Sequence, residues 1–313
     1  MHHETTKALY ELFPLEDKND FFAIYLYLKY LDDFFYHVFK SSGLPIVERP
    51  GKLELDEGLE DMIEAYAQQI GEAALSADTN IYHGKVVKLQ DAIKLVTQRE
   101  DLSLPLSERV IPFKLARDVI LKNPDSIAVG TCVCRALSPN PCLPPPQEVC
   151  LFVGDPFASF LDDQNPKFRR ISQAEAVKVI EDAHRRGDVH CAYFKKEAGN
   201  RFVAICNCCD CCCMGIRMWN QLGGTVPFLA PSGYVSQVSD DCSGCGACAE
   251  NTCRFRAISM DKGGEKAVIS FERCMGCGVC EDVCPIGAIS LRREPSKGEP
   301  LDLEELKNQA KAG

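Results

Sequence analysis

The first 125 residues of this 313-residue chain contain no cysteine, and the whole chain has one tryptophan. No stretch reaches the roughly 18–20 uncharged apolar residues that a transmembrane helix needs, so no such segment is expected. Met1 to Phe13 shows no basic region followed by an apolar run, which argues against a signal peptide. Positive charge is in deficit: 35 Lys and Arg against 45 Asp and Glu leave a formal net charge of −10. Nucleic-acid binding through phosphate contacts is therefore not expected. The chain has no Walker-A pattern, no G-x-G-x-x-G after a strand and no H-E-x-x-H. Gly215, Gly223 and Gly224 stand outside any phosphate-binding frame, and no nucleophile–histidine–acid set can be located.

The remainder of the chain holds 19 cysteines, eleven between 126 and 235 and eight between 236 and 294. An odd total cannot pair completely. A reducing cytoplasm, where metal ligation is favoured over disulfides, is the expected setting. In the last group, Cys242-x2-Cys245-x2-Cys248 is followed by Cys253, and Cys274-x2-Cys277-x2-Cys280 by Cys284-Pro285. Two such runs have the spacing of the ligand sets of two [4Fe–4S] clusters. Cys-x2-Cys alone also suits tetrahedral zinc. Three ligands at this spacing followed by Cys-Pro, twice over, favours the cubanes. Gly244, Gly246, Gly276 and Gly278 between the ligands allow unusual dihedrals and close approach of N–H groups to sulfur. An internal repeat agrees: Cys253-x3-Ala257-Ile258-Ser259 echoes Cys284-x3-Ala288-Ile289-Ser290. Ala257–Met260 and Lys266–Phe271 read as a β-hairpin.

This segment resembles the bacterial-type two-[4Fe–4S] ferredoxins over residues 236–294. The resemblance implies crossed ligation: Cys242, Cys245, Cys248 and Cys284 for cluster I, and Cys253, Cys274, Cys277 and Cys280 for cluster II. Two departures stand out. Four residues separate Cys248 from Cys253 instead of three, and Arg254 occupies the place of a usual proline. A cation there would stabilise the reduced, more negative cluster II and raise its potential.

The middle cysteines are Cys132, Cys134, Cys142, Cys150 and Cys191, then Cys206, Cys208, Cys209, Cys211, Cys212 and Cys213. Six thiols in eight residues are too many for core packing and too close to pair easily with one another, which points to metal or cluster ligation. Two arrangements are open. Cys132, Cys134, Cys142 and Cys150 form one site and four of the later thiols another, or Cys132 and Cys134 face the 206–213 loop across one shared site. Cys191 reads as a plain buried thiol, His190 as a structural histidine with ligation or proton relay as the alternative, and Asp210 as solvent-exposed with a hard oxygen ligand as the alternative. Arg135 offsets the charge of thiolates. The pattern Cys-x-Cys-Arg followed by Asn-Cys-Cys-x-Cys-Cys-Cys, joined to a ferredoxin module, resembles little-characterised iron–sulfur proteins of anaerobic prokaryotes. That resemblance implies anaerobic electron transfer and at least one further cluster.

The expected fold class is α+β: a helical N-terminal domain (1–125), a mixed α/β Cys-rich domain (126–235), a ferredoxin-like βαβ pseudo-repeat (236–294) and an acidic tail (295–313) read as an exposed arm or docking helix. Phe21, Tyr25, Leu28, Leu31, Phe35 and Phe39 mark one helix face, packed inward or docking on a partner or membrane surface. Further helices are expected over Asp56 to Leu75 and Ile111 to Lys122. A strand is expected over Ser126 to Gly130, and Pro139 to Pro146 reads as an extended loop. Ser172 and Glu175 form a capping box for a helix to about Arg186. Val189–Phe194 and Arg201–Ile205 form a hairpin, and helix plus hairpin suggest a winged-helix-like unit. The function expected is electron transfer to or from a larger oxidoreductase, through two [4Fe–4S] clusters and one or two more in the middle domain. A reductase with a substrate site at the middle cluster, or a redox or oxygen sensor, are the alternatives.

Overall fold

Alternation of buried side chains along the strands, not a helical stripe, organises the centre of the molecule. The computed structural model describes residues 3–13, 18–47, 57–75, 82–111, 118–195, 198–199, 201–224, 229–250 and 252–312. Eight strands form one sheet: β1 (Tyr82–Val87), β2 (Leu102–Pro105), β3 (Asp118–Thr131), β4 (Glu148–Asp155), β5 (Phe168–Ile171), β6 (Val189–Lys195), β7 (Arg201–Cys208) and β8 (Leu229–Ala230). Their order is β2-β3-β4-β7-β6-β1-β8, with β5 also paired to β3. Cys191 and Tyr193 of β6 face one core while Ala192 and Phe194 face the other. Phe152 of β4 likewise opposes Leu151 and Val153. Both faces are thus buried, as the near-continuous apolar strands require.

One face is covered by α5 (Leu89–Val96), α8 (Gln173–Arg185) and α11 (Leu303–Ala312). The other carries α1 (Glu4–Glu11), α2 (Lys18–Lys29), α3 (Leu31–Ser41), α4 (Glu57–Leu75), α7 (Phe157–Gln164) and α9 (Met214–Gln221). A short α6 (Val133–Ala136) follows β3 directly. Tyr30, at φ −115° and ψ 41°, breaks the expected single aromatic helix into α2 and α3. No glycine or proline marks that break. Phe34, Phe35 and Phe39 are all buried, each contributing about 2 kcal/mol of apolar burial. This packing answers the docking-helix reading: the aromatic face covers the sheet, with Lys195 Nζ 3.2 Å from the Tyr27 ring centre.

The N-cap half of the expected capping box forms: Glu175 N donates to Ser172 Oγ at 3.2 Å, while the Glu175 carboxylate pairs with Arg169 at 2.7 Å, and Gly187 ends the turn at φ 78°. Four expectations need correction. The helix over Ile111 to Lys122 is not formed at its C-terminal end: residues 118–122 belong to β3, where Val119 and Leu121 point inward against β2, and 112–117 lie outside the described residues. The boundary at 125 falls inside β3, whose register shift between Lys122 and Ile127 accommodates Pro124. The hairpin is no wing, because β6 and β7 lie in the interior of the sheet between β1 and β4. Finally, the acidic tail is not an exposed arm. Leu301, Leu303 and Leu306 are buried in the core beside α5, and Lys94 pairs with Asp302 at 2.9 Å and Glu304 at 3.0 Å.

The C-terminal lobe consists of two small antiparallel pairs. β10 (Ile258–Met260) and β11 (Ala267–Ile269) form the expected hairpin, and β9 (Tyr234–Val238) pairs with β12 (Ile289–Arg293). α10 (Val279–Asp282) lies between β11 and β12 in the chain.

Candidate metal centres

Each ferredoxin-type run brings three sulfurs to one cavity and sends its last sulfur to the other. Cys242, Cys245 and Cys248 share with Cys284 a cavity of about 300 Å³ of free space including its open mouth. Cys274, Cys277 and Cys280 share one of about 310 Å³ with Cys253. The internal repeat has a structural counterpart: Ala257 N donates to Cys253 Sγ and Ala288 N to Cys284 Sγ, both at 3.2 Å. The Ala in each Cys-x3-Ala unit therefore supplies a main-chain donor to the crossing sulfur. Ser236 adds an N–H to Cys274 Sγ at 3.4 Å, and its Oγ lies 3.1 Å from Cys280 Sγ. Such donors lower the energy of thiolate sulfur. Gly276 has φ +66°, and a Cβ there would lie 2.3 Å from Tyr234 O. Only glycine lets the loop lie this close to β9.

Burial pushes the Cys280 thiol up to about 12, with Ser236 opposing, and also raises Cys253 and Cys248. Thiolates crowded in such cavities need a compensating positive charge. Four soft sulfurs per cavity, with N–H groups aimed at them, fit iron–sulfur cubanes.

The middle cysteines gather at the ends of β3, β4 and β7. A third cavity, with about 600 Å³ of free space including its mouth, is lined by Cys132, Cys134, Cys150, Cys206, Cys208, Cys209 and Cys213. Six of these thiols close a ring of neighbours: Cys132 interacts with Cys134 and Cys150, Cys150 with Cys206, Cys206 with Cys208, Cys208 with Cys213, and Cys213 with Cys134. Strand geometry explains the set. Cys206 and Cys208 are two apart on β7 and share a face, and Cys150 lies opposite Cys206 in register. Cys132 and Cys213 immediately precede α6 and α9. Hydrogen bonds from Cys134 and Cys150 hold the Cys132 thiol well below its usual range, while Cys134, Cys150 and Cys206 are raised, each chiefly by a neighbouring thiol. The apolar wall is Tyr27, Leu31, Phe35, Phe152, Tyr193 and Met214, so the N-terminal helices close the site.

Cys142 is not among these. It lies with Cys209, Cys211 and Cys212, their sulfurs all within 4.8 Å of one another. The grouping of Cys132, Cys134, Cys142 and Cys150 is therefore not what the fold assembles, and the shared arrangement of 132 and 134 with the later loop is closer. Cys191 is fully buried and touches Cys208.

Arg135 is 1 % exposed. Its Nε approaches Cys142 Sγ at 3.5 Å, and the other nitrogens donate to Asn207 O at 2.8 Å and Asp188 Oδ1 at 2.9 Å. Burial opposes its charge, but Cys132, Asp188 and Cys209 more than compensate and raise its pKa. Asp210 is not free in solvent: its Oδ1 takes a hydrogen bond from Arg254 at 3.1 Å. Arg254 also donates to the Gly187 and Arg186 carbonyls. Its charge is thus already paired with Asp210. His190 pairs with Asn207 at 2.6 Å and with His184 at 3.1 Å, and His184 with Asp282. Burial pushes His190 down to about 4, so it is neutral at pH 7. This histidine chain was not expected, since His184 reads only as a helix residue.

A family profile, the 4Fe-4S dicluster domain, matches residues 241–288. A protein of Methanocaldococcus jannaschii named as an uncharacterized ferredoxin is 42 % identical over 50 residues, which are 15 % of this chain and 77 % of that protein. Among the described residues no helix is long and apolar enough to cross a membrane. In its C-terminal lobe, over residues 241–288, the chain belongs to the dicluster 4Fe–4S ferredoxins.

Proposed function

We propose that this protein is an iron–sulfur electron carrier, with two [4Fe–4S] clusters in the C-terminal lobe and a further iron–sulfur centre in the six-thiol cavity. The observation that carries the reading is the crosswise sharing of eight cysteines between two cavities. Cys242, Cys245, Cys248 and Cys284 hold cluster I, and Cys253, Cys274, Cys277 and Cys280 hold cluster II. Bound there, the clusters supply one-electron storage and transfer. The third cavity has about twice the free space of either, and six thiols exceed the four that one cubane takes.

The chain's own residues join these sites. Trp219, Phe255, Met275 and Val279 belong to the same buried core as Cys208 and Cys213, and Cys253 and Cys277 pack against it. Trp219 and Phe255 meet edge to face at 5.2 Å. A dry, packed medium therefore separates cluster II from the third cavity. The partner is a redox protein, of which a larger oxidoreductase in anaerobic metabolism is the favoured kind. A reducing cytoplasm suits 19 unpaired thiols.

Anaerobic purification with iron and sulfide counting, followed by EPR, tests this. About 12 iron atoms per chain support one cubane in the third cavity, about 16 a larger assembly, and about 8 none. A second reading, reduction of a substrate at the third cavity, is favoured by its apolar wall of Tyr27, Phe35 and Tyr193. A ligand-induced change in that centre's EPR signal, with turnover, would establish it.

A further inference from the structure

The loop from Cys206 to Cys213 serves two different sites. Cys206, Cys208 and Cys213 belong to the six-thiol ring, whereas Cys209, Cys211 and Cys212 gather around Cys142 from the Pro-rich loop. In this second group Cys211 and Cys212 sulfurs are 3.5 Å apart, and Cys212 and Cys142 sulfurs 4.0 Å apart. The spacing decides what such a group can bind. Four sulfurs at about 2.3 Å from one tetrahedral ion lie about 3.8 Å from each other. Four cysteine sulfurs on the corners of a cubane lie about 6 Å apart, because each stands one Fe–S bond outside the cube. A group with every sulfur within 4.8 Å of the others matches the single ion and is too small for the cube. Among the described residues the eight ferredoxin-type cysteines form no group that tight.

We propose that Cys142, Cys209, Cys211 and Cys212 bind one tetrahedral thiophilic divalent ion, of the Zn²⁺ or Fe²⁺ class, separate from every cluster. Four thiolates on a divalent ion leave two net negative charges. Arg135, whose Nε points at Cys142 Sγ from 3.5 Å while its Nη2 pairs with Asp188, gives the site a charge-assisted donor and ties it to Asn207 of β7. The ion clasps the Pro-rich loop to the thiol loop. Cys209 also lines the third cavity, so the clasp fixes one edge of that cavity. The six crowded cysteines are thus two interleaved ligand sets on one loop.

The test uses the full chain purified without air. Metal analysis should give one zinc per chain, or one iron beyond a multiple of four. Zinc-edge X-ray absorption should show four sulfurs at about 2.3 Å and no metal–metal distance. If the ion is iron, oxidation should produce a high-spin ferric EPR signal of a mononuclear centre. C142S and C211S alter exposed residues, so the fold should survive. Both should lose the single ion while the ferredoxin cluster signals keep their intensity. Loss of four irons and a cubane signal in either variant would overturn the proposal. So would wild-type protein with no ion outside its clusters after reconstitution with zinc, iron and sulfide. The ferredoxin-lobe signals report separately on the electron-carrier reading, so the two can fail independently.

Discussion

At the residue scale, the crossed sulfurs make the sharpest prediction. Cys284 follows the second run in sequence yet lines the cavity of the first. Cys284→Ser is therefore expected to weaken or convert the EPR signal of the 242–248 cluster and leave the 274–280 cluster intact. The opposite pattern would reverse the assignment. Lys85 makes a different prediction. It is 1 % exposed, and its Nζ donates to the Glu299 carbonyl at 2.7 Å. Burial, with the charge of Arg293 adding to it, lowers its pKa from 10.5 to about 7. Between those values the unfolded chain holds the extra proton, so stability rises as pH goes from about 7 to about 10.5 and is lowest, and flat, below that window. Urea midpoints across this range should climb for the native chain, and Lys85→Met should flatten the climb. An unchanged slope in the variant would show that Lys85 is not its source.

At the element scale, local rules served well where one element answers to its own sequence. The Ser172 cap, the helix it opens and the hairpin of β6 and β7 formed as the residues predict. Ser172→Ala should cost about 1 kcal/mol, read as a lower urea midpoint with m unchanged. Local rules failed at Asp118–Lys122, where the pairing of Val119 and Leu121 with β2 outweighs helix propensity. They failed again at Tyr30, where the helix breaks at φ −115° with no glycine or proline to mark it. The cluster-binding loop around Gly276 is a further case of outside constraint. Gly276→Ala drives a methyl against β9, so the 274–280 cluster should be lost while the 242–248 cluster remains, as EPR after anaerobic reconstitution would report.

For the whole molecule, the sheet and the C-terminal lobe differ in what holds them. The sheet is buried on both faces by apolar side chains. The lobe has small cores in which cysteines are prominent. Stripping metal with a strong chelator under argon should unfold the lobe, seen as fast hydrogen exchange over β9–β12, while β3, β4, β6 and β7 stay protected. Uniform loss of protection would mean that metal also holds the sheet. The net charge of −10 predicts that electron transfer to a cationic protein acceptor slows as salt rises.

Spacing alone was enough to mark the ferredoxin lobe, because its eight ligands and their glycines lie in two short local loops whose chemistry tolerates little variation. It also set the middle thiols apart as candidate metal ligands, since core packing does not account for six in eight residues. Which thiol joins which site was decided by the sheet. Strand alternation sends Cys206 and Cys208 to the cavity, register sets Cys150 beside Cys206, and the Pro-rich loop places Cys142 beside Cys209, Cys211 and Cys212. Those contacts join residues up to about eighty positions apart, and only packing of the folded chain brings such distant sulfurs together.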